Sequence, residues 1–172
     1  MSDLTRPSDS CYLSTSPFAT QELGVLLGRC VREGDLVILT GDLGAGKTNL
    51  TQGVARALGV SEPVTSPTFN ILAIHEGDDL TLYHFDLYRL EDVDQLGDAG
   101  VLDIAGVEGV SLVEWGEPFA PLLGDDRLEV AISRVGQGAG EPARQIQVTG
   151  CGERGRALAQ AWDKAVADAP SS

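Results

Sequence analysis

The sequence predicts an α/β fold in which a mixed β-sheet is flanked by helices within a single domain. Two observations lead to this prediction. The apolar run Leu36–Thr40 has the composition of a strand buried on both faces, and a glycine-rich loop and an amphipathic helix follow it directly. Further apolar runs are separated by short turn sequences, and a length of 172 residues is close to that of one domain.

A helix is predicted on each side of that first strand. In Phe18–Arg32, apolar residues recur every three or four positions on one face, and Gly34 then marks a turn. Lys47–Leu58 shows the same kind of apolar face, and Gly59 is a typical residue to end it. A strand, a glycine loop and a helix therefore follow one another in the chain.

The rest of the chain is predicted to supply most of the sheet. Two strands joined by the turn Glu76–Asp79 suggest an antiparallel hairpin, and a helical segment, three further strands and a last helix follow. The predicted ranges are Phe69–His75, Leu80–Asp86, Glu91–Leu102 (helical), Val110–Trp115, Arg127–Ser133, Arg144–Thr149 and Glu153–Asp168 (helical). We expect one domain over residues 1–172, with flexible ends at 1–10 and 169–172.

The composition excludes several classes of protein. The cysteines Cys11, Cys30 and Cys151 have no metal-ligand spacing, and their odd number argues against a disulfide framework. No apolar run reaches the roughly 18 residues of a membrane-spanning helix. Residues 1–16 are polar and lack the apolar core of a signal peptide. We therefore expect a cytoplasmic protein that does not contact a membrane.

A phosphate-binding loop is the strongest motif in the sequence. The pattern G-x-x-x-x-G-K-[ST] is matched by eight consecutive residues, Gly41, Asp42, Leu43, Gly44, Ala45, Gly46, Lys47 and Thr48. A chain of this composition would match the pattern by chance with a probability of about 0.003. The glycines let backbone N–H groups surround phosphate oxygens at a helix N-terminus, and the lysine reaches the β- and γ-phosphates. The sequence therefore predicts a P-loop NTPase-like fold with a nucleotide site, in which the Thr48 hydroxyl can contact Mg²⁺.

Two carboxylates are candidates for the acidic residue that orients Mg²⁺ in nucleotide hydrolases. Glu114 ends one apolar run and Asp86 ends another, and the pattern alone does not choose between them. Either residue could instead cap a helix or end a solvated strand. The neighbouring Trp115 is of a type that more often forms core or a pocket wall, and His84 is interpreted as a core or hydrogen-bonding histidine.

Three further segments accompany the phosphate loop. They are Ser66-Pro67-Thr68-Phe69, His84-Phe85-Asp86-Leu87-Tyr88-Arg89 and Glu114-Trp115-Gly116-Glu117. In this order, the four motifs resemble the bacterial tRNA threonylcarbamoyladenosine biosynthesis ATPase family (TsaE, formerly YjeE). Many NTPases share the phosphate loop, whereas the combination is specific, and flanking elements of compatible length extend the resemblance over nearly the whole chain.

The resemblance implies an activity and its partners. Members of that family are small ATPases that act with two partner proteins, which transfer threonylcarbamoyl to adenosine 37 of tRNA. The resemblance therefore implies a Mg²⁺-dependent ATPase with ATP as substrate, and we expect its hydrolysis to be slow when the protein is alone.

The resemblance also implies roles for individual residues. Thr48 and Glu114 would ligate Mg²⁺, Lys47 would bind the phosphates, and Asp86 would act on the attacking water or the metal shell. A mobile loop that senses the γ-phosphate would be formed by Ser66, Pro67, Thr68 and Phe69. Two segments are candidates for adenine contacts, Ser14–Thr20 and Gly136–Gly140.

Two other functions remain for comparison. A small-molecule kinase would share the phosphate loop, but it would need an arginine-bearing lid, and the arginines between Arg127 and Arg156 are scattered among predicted strands and turns. A GTPase would need the base-reading sequence N-K-x-D, and neither Asn49 nor Asn70 is followed by lysine. The kinase is the main alternative to the ATPase.

The charge of the chain bears on tRNA binding. Twelve basic and 26 acidic residues give a net charge of −14, and ten of the basic residues are arginines. Proteins obtain most of their affinity for nucleic acids from cationic side chains. We therefore expect no tight binding of free tRNA, and we expect the partner proteins to supply a basic surface.

Overall fold

A computed structural model describes residues 3–42, 44–65, 67, 70–136 and 143–170. The strands of this structure are β1 (Leu4–Ser8), β2 (Cys11–Ser14), β3 (Leu36–Thr40), β4 (Leu72–Glu76), β5 (Thr81–Asp86), β6 (Val110–Glu114), β7 (Arg127–Val135) and β8 (Ala143–Cys151). The helices are α1 (Pro17–Gly28), α2 (Lys47–Ala57), α3 (Val93–Asp98), α4 (Val101–Ile104), α5 (Ala120–Leu123) and α6 (Gly152–Asp168). A short 3₁₀ helix, Glu117–Phe119, precedes α5.

The eight strands form one mixed sheet in the order β1-β2-β8-β7-β3-β6-β5-β4. Its centre is parallel, because β3 pairs in parallel with β6 and β7, and β5 pairs in parallel with β6. The outer strands pair antiparallel. The predicted α/β fold, a mixed sheet flanked by helices, is confirmed.

The core lies on both faces of the central strand. Along β3, Val37 and Leu39 join the cluster under α1, α2 and α6, whereas Leu36 and Ile38 join the cluster under α3, α4 and α5. All four side chains are buried, as expected for a parallel strand covered on both faces. The central strand is therefore held rigidly from both sides.

Helices α1 and α2 pack closely through glycines. A Cβ atom on Gly24 would collide with the carbonyl oxygen of Leu50, and a Cβ atom on Gly53 would collide with that of Gln21. The absence of side chains at these two positions lets the backbones approach each other. This contact fixes α2, the helix that follows the phosphate loop, against α1.

The N-terminal part of the chain differs most from the sequence prediction. Residues 1–10 are predicted to be flexible, yet Leu4–Ser8 forms the edge strand β1, and neither β1 nor β2 is predicted. Strand β1 is mostly polar and contains Pro7. Proline has no backbone N–H to donate to a neighbouring strand, and an edge strand tolerates this loss. Helix α1 ends at Gly28 rather than at Arg32, and β4 begins at Leu72 rather than at residue 69. In the part of the chain that the structure describes, no helix has the length and apolar character needed to cross a membrane.

The Asp163 carboxylate on α6 binds the N-terminal strands through hydrogen bonds. Asp163 accepts hydrogen bonds from the Arg6 guanidinium at 2.7 and 2.9 Å, from the Ser10 backbone N–H at 3.0 Å and from the Tyr12 hydroxyl at 3.0 Å. The buried Tyr12 ring packs on Trp162, with their centroids 5.4 Å apart. The hydrogen bond from Arg6 is the main cause that lowers the pKa of Asp163 from 3.8 to about 2.

Replacing Asp163 by Asn should destabilise the protein at pH 7. The amide keeps the shape of the side chain but removes the charge that Arg6, Ser10 and Tyr12 bind. We expect a loss of about 1–2 kcal/mol in the free energy of unfolding, measured by urea denaturation.

The pH dependence of this effect has a defined sign. Because folding lowers the pKa of Asp163, its stabilisation is complete above pH 3.8 and is lost as the pH falls through about 2. The difference between the wild type and Asp163→Asn should therefore shrink over that range. Asp168→Asn is the control, since Asp168 pairs with Lys164 on the exposed surface of the same helix. A difference that is constant down to pH 2 would contradict the assignment.

Candidate functional site

The candidate site lies where the central parallel strands end. Leu39 on β3 is in register with Glu114 on β6, and Glu114 is in register with Asp86 on β5. Neighbouring strands are about 4.8 Å apart, so the two carboxylates and the loop that follows β3 share one edge of the sheet. Crevices at the carboxyl ends of parallel strands are the usual ligand sites of α/β sheets.

The phosphate loop connects β3 to α2 at this edge. Its three glycines have positive φ angles, 145° at Gly41, 77° at Gly44 and 115° at Gly46. Helix α2 begins at Lys47 without a side-chain cap, so its first N–H groups remain available to an anion. A Cβ atom on Gly46 would lie 3.8–4.0 Å from the side chains of Thr20, Arg144 and Ile132, so these three residues adjoin this end of the helix. Leu43 lies outside the described residues.

Lys47 is buried within this loop. Its side chain is 5% exposed, and its Nζ donates a hydrogen bond of 2.7 Å to the Gly41 carbonyl. The same nitrogen lies 4.2 Å from the centroid of the Trp115 ring, which is a cation–π contact. The structure thus holds the ammonium group between the loop backbone and an aromatic ring.

Trp115 forms one side of the lysine environment. Its backbone adopts a φ of 61°, which is uncommon for a large side chain and costs about 1–3 kcal/mol. The conformation turns the chain at the end of β6, and the exposed Tyr88 ring packs on Trp115 with a centroid separation of 5.0 Å. Trp115 is predicted as a pocket wall, and its contact with Lys47 is compatible with that role.

The two candidate carboxylates lie in different environments. Glu114 is 3% exposed, and its Oε2 is 2.7 Å from the Nε2 of the fully buried His84. Asp86 is half-buried, and its Oδ1 accepts a hydrogen bond of 3.0 Å from the Tyr88 backbone N–H. Thr48 follows Lys47 in the first turn of α2 and is half-buried. Glu114 and Asp86 thus end neighbouring strands, and Thr48 lies in the first turn of the helix that follows the phosphate loop.

The predicted switch-like loop is only partly described. Pro67 is buried, whereas Ser66, Thr68 and Phe69 lie outside the described residues. The segment before it is held in two places. The Gln52 amide donates to the Val64 carbonyl at 3.0 Å, and the Nδ1 of His75 lies 2.6 Å from a carboxylate oxygen of Glu62.

Two arginines beside the phosphate loop are not predicted from the sequence. Arg134 on β7 and Arg144 on β8 are cross-strand partners. Arg144 donates a hydrogen bond of 3.2 Å to the Gly44 carbonyl. A Cβ atom on Gly44 would collide with the Arg134 guanidinium, so this arginine also lies against the loop. The sequence could have indicated this pair, because the two arginines flank a glycine-rich hairpin loop at equivalent positions. Of that loop, Gly136 is described and residues 137–140 lie outside the described residues.

A small cleft adjoins the loop on the side of α1. Its walls are formed by Thr15, Ser16, Pro17, Thr20, Gly46, Asn49 and Arg144. This cleft includes part of the predicted adenine-contact segment Ser14–Thr20. The structure thus brings that segment next to Gly46.

Comparisons with known proteins identify the family to which the chain is similar. A family model described as "Threonylcarbamoyl adenosine biosynthesis protein TsaE" matches residues 14–146. A protein of Streptomyces coelicolor named tRNA threonylcarbamoyladenosine biosynthesis protein TsaE is 45% identical over 137 residues, which cover 78% of this chain and 92% of that protein. A protein of the same name from Bacillus subtilis is 38% identical over 143 residues, covering 83% of this chain and 87% of that protein.

A solved structure shares the fold. The crystal structure of YdiB from Bacillus subtilis superimposes with a TM-score of 0.72 at 30% sequence identity. The match covers 95% of this chain and 97% of that chain.

Gly41→Ala should disrupt the phosphate loop. The new Cβ atom would collide with the Ile132 carbonyl oxygen, and a φ of 145° strains any residue other than glycine. With a strain of about 1–3 kcal/mol, the dissociation constant of an ATP analogue should rise about tenfold or more in isothermal titration. Gly97→Ala is the matched control, since a Cβ atom there meets nothing within 4 Å. Equal nucleotide affinities of the two variants would contradict the geometry described for the loop.

Proposed function

The chain belongs to the TsaE family of threonylcarbamoyl adenosine biosynthesis proteins, and we propose that it is the ATP-hydrolysing subunit required, with two partner proteins, for threonylcarbamoylation of adenosine 37 in tRNA. The resemblance drawn from four sequence motifs is thereby confirmed. One observation supports the ATPase role above all others. The phosphate loop places the buried Lys47 at the same sheet edge as Glu114 and Asp86.

The donor set at this edge fits Mg²⁺. The Thr48 hydroxyl and the carboxylates of Glu114 and Asp86 are all oxygen ligands, the type that Mg²⁺ prefers. Among the described residues, no group of three or more His, Cys, Asp or Glu side chains forms a metal cage. This also fits, because Mg²⁺ in nucleotide sites binds one or two carboxylates together with phosphate oxygens and water. When bound, Mg²⁺ would neutralise charge on the β- and γ-phosphates.

The remaining chemistry is assigned to residues of the chain itself. Lys47, which donates to Gly41 in the structure, would donate to phosphate oxygens when ATP is bound, alongside the N–H groups of the loop. We assign Thr48 and Glu114 to the metal, as in the resemblance, and Asp86 to the attacking water or the metal shell. The Trp115 ring would exclude water from one side of the ammonium group.

We propose that the segment Ser14–Thr20 is one candidate to contact the adenosine part of ATP, and Gly136–Gly140 is the other. Residues of the first segment line a small cleft beside Gly46, so a nucleotide whose phosphates lie in the loop would extend along that segment. Arg144 contributes a planar guanidinium group to the same cleft. Ser66, Pro67, Thr68 and Phe69 are proposed to sense the γ-phosphate, and we propose that hydrolysis is slow until partner proteins order this segment.

A small-molecule kinase is the alternative that shares the phosphate loop, and it is not favoured. The family match extends from residue 14 to residue 146, and the similar proteins carry the name of the tRNA modification pathway. Because ATP and tRNA meet in the cytoplasm, the proposal also places the protein there.

Lys47→Ala should abolish ATP hydrolysis in a system reconstituted with the two partner proteins. Without the ammonium group, charge that develops on the transferring phosphoryl group loses its neighbouring cation, so the rate should fall at least about 100-fold. Phosphate release and formation of modified tRNA are measured in parallel. Lys164→Ala is the matched control, because Lys164 is the only other lysine and lies exposed on α6.

Two results of this experiment would oppose the proposal. Hydrolysis by Lys47→Ala at the wild-type rate would exclude the phosphate loop as the catalytic site. Phosphate transfer to a small-molecule acceptor, together with tRNA modification that does not need this protein, would favour the kinase.

The two carboxylates should have separable effects. If Glu114 binds Mg²⁺ and Asp86 acts on the attacking water, Glu114→Ala weakens Mg²⁺-dependent nucleotide binding, whereas Asp86→Ala mainly lowers kcat. Isothermal titration with a non-hydrolysable ATP analogue and steady-state kinetics separate the two effects. We expect a rise in dissociation constant of at least about tenfold for Glu114→Ala and less than about threefold for Asp86→Ala. Equal losses of nucleotide affinity in the two variants would contradict the separate roles of Glu114 and Asp86.

Free tRNA should not bind to the isolated protein at physiological salt. A net charge of −14 repels a polyanion at encounter, and tight binding would need several cationic contacts with phosphates. Filter binding of labelled tRNA to the protein, with the partner proteins as positive control, measures this directly. Tight binding of tRNA without the partner proteins would contradict this expectation.

A further inference from the structure

His84 is a buried polar residue for which the proposed chemistry provides no role. It lies on β5, in register with Leu112 on β6 and Ala73 on β4, and its side chain is fully buried. Its Nε2 is 2.7 Å from Glu114 Oε2. Its Nδ1 has no hydrogen-bond partner among the described residues.

Packing alone does not account for a histidine at this position. A buried polar atom without a partner costs about 1–3 kcal/mol, so an apolar side chain of similar size would fill the space at lower cost. Within the described part of the chain, the imidazole makes one polar contact, and that contact is with Glu114. The polar function of His84 is therefore its hydrogen bond with the Glu114 carboxylate.

The contact fixes both partners. With its proton on Nε2, the imidazole donates a hydrogen bond to the Glu114 carboxylate and leaves a lone pair at Nδ1. Glu114 is 3% exposed, and a carboxylate so far from water needs hydrogen-bond donors. A hydrogen bond from a ring that is locked in the sheet also restricts rotation of the carboxylate plane.

We propose that His84 is a positioning residue that holds the Glu114 carboxylate in the orientation that ligates Mg²⁺. This inference rests on the proposed function, because it takes Glu114 as a metal ligand. Hydrogen-bond partners of metal ligands commonly change metal affinity by 10- to 100-fold when they are lost. His84 therefore belongs to the metal site without touching the metal.

The test measures metal binding rather than activity. Mn²⁺ replaces Mg²⁺ as a spectroscopic probe, and its affinity for the protein with a saturating non-hydrolysable ATP analogue is measured by electron paramagnetic resonance. His84→Leu removes the donor, His84→Gln places an amide nitrogen near the position of the imidazole Nε2, and His84→Asn places one near Nδ1. We expect the Mn²⁺ dissociation constant to rise about 10- to 100-fold for Leu and Asn and to stay within about threefold of the wild type for Gln.

The outcomes are distinct. Wild-type Mn²⁺ affinity in His84→Leu, or equal affinities in the Gln and Asn variants, would overturn the inference while leaving the proposed function intact. If His84→Leu does not fold, as judged by its thermal transition, the Gln and Asn pair decides alone, since both replace the ring by an amide. Absence of Mn²⁺–nucleotide binding by the wild type would instead overturn the proposed function, and the inference with it.

Discussion

The parallel pairing of β3, β6 and β5 is the constraint on which the site depends. Because the three strands run in the same direction and in register, the loop after β3, Glu114 and Asp86 reach the same edge of the sheet. A shift of one residue in β6 would turn Glu114 to the opposite face of the sheet, away from His84. Every residue of β6 is buried, so such a shift would displace packed side chains, and the core that stabilises the fold also positions the two carboxylates.

The buried ammonium group of Lys47 is the cation that the proposed function assigns to phosphate binding at that edge. A cation at 5% exposure is stable only with partners, and here these are the Gly41 carbonyl and the Trp115 ring. Both are weaker partners than an anionic phosphate oxygen. In the proposed function, an incoming triphosphate would therefore exchange these two contacts for stronger ones.

Local patterns predicted the centre of the fold well and its edges poorly. Strand β3, the loop and α2 could be placed from the sequence because each depends on neighbouring residues. These are an uninterrupted apolar run, closely spaced glycines and an amphipathic pattern. The ends of apolar runs located Glu114 and Asp86 for the same reason. By contrast, Arg144 reaches Gly44 across 100 residues, and His84 meets Glu114 across 30, through strand order that no local pattern specifies. Strand β1 was missed because an edge strand buries little and needs no apolar alternation.

We propose that this sheet edge binds Mg²⁺–ATP, and a crystal structure with Mg²⁺ and a non-hydrolysable ATP analogue is the decisive measurement. We expect the triphosphate within the loop 41–48, with Lys47 Nζ moved from the Gly41 carbonyl to phosphate oxygens. We also expect the metal bound by Thr48 and Glu114, with Glu114 still hydrogen-bonded to His84. A nucleotide bound elsewhere, or a metal that contacts neither Thr48 nor Glu114, would contradict it.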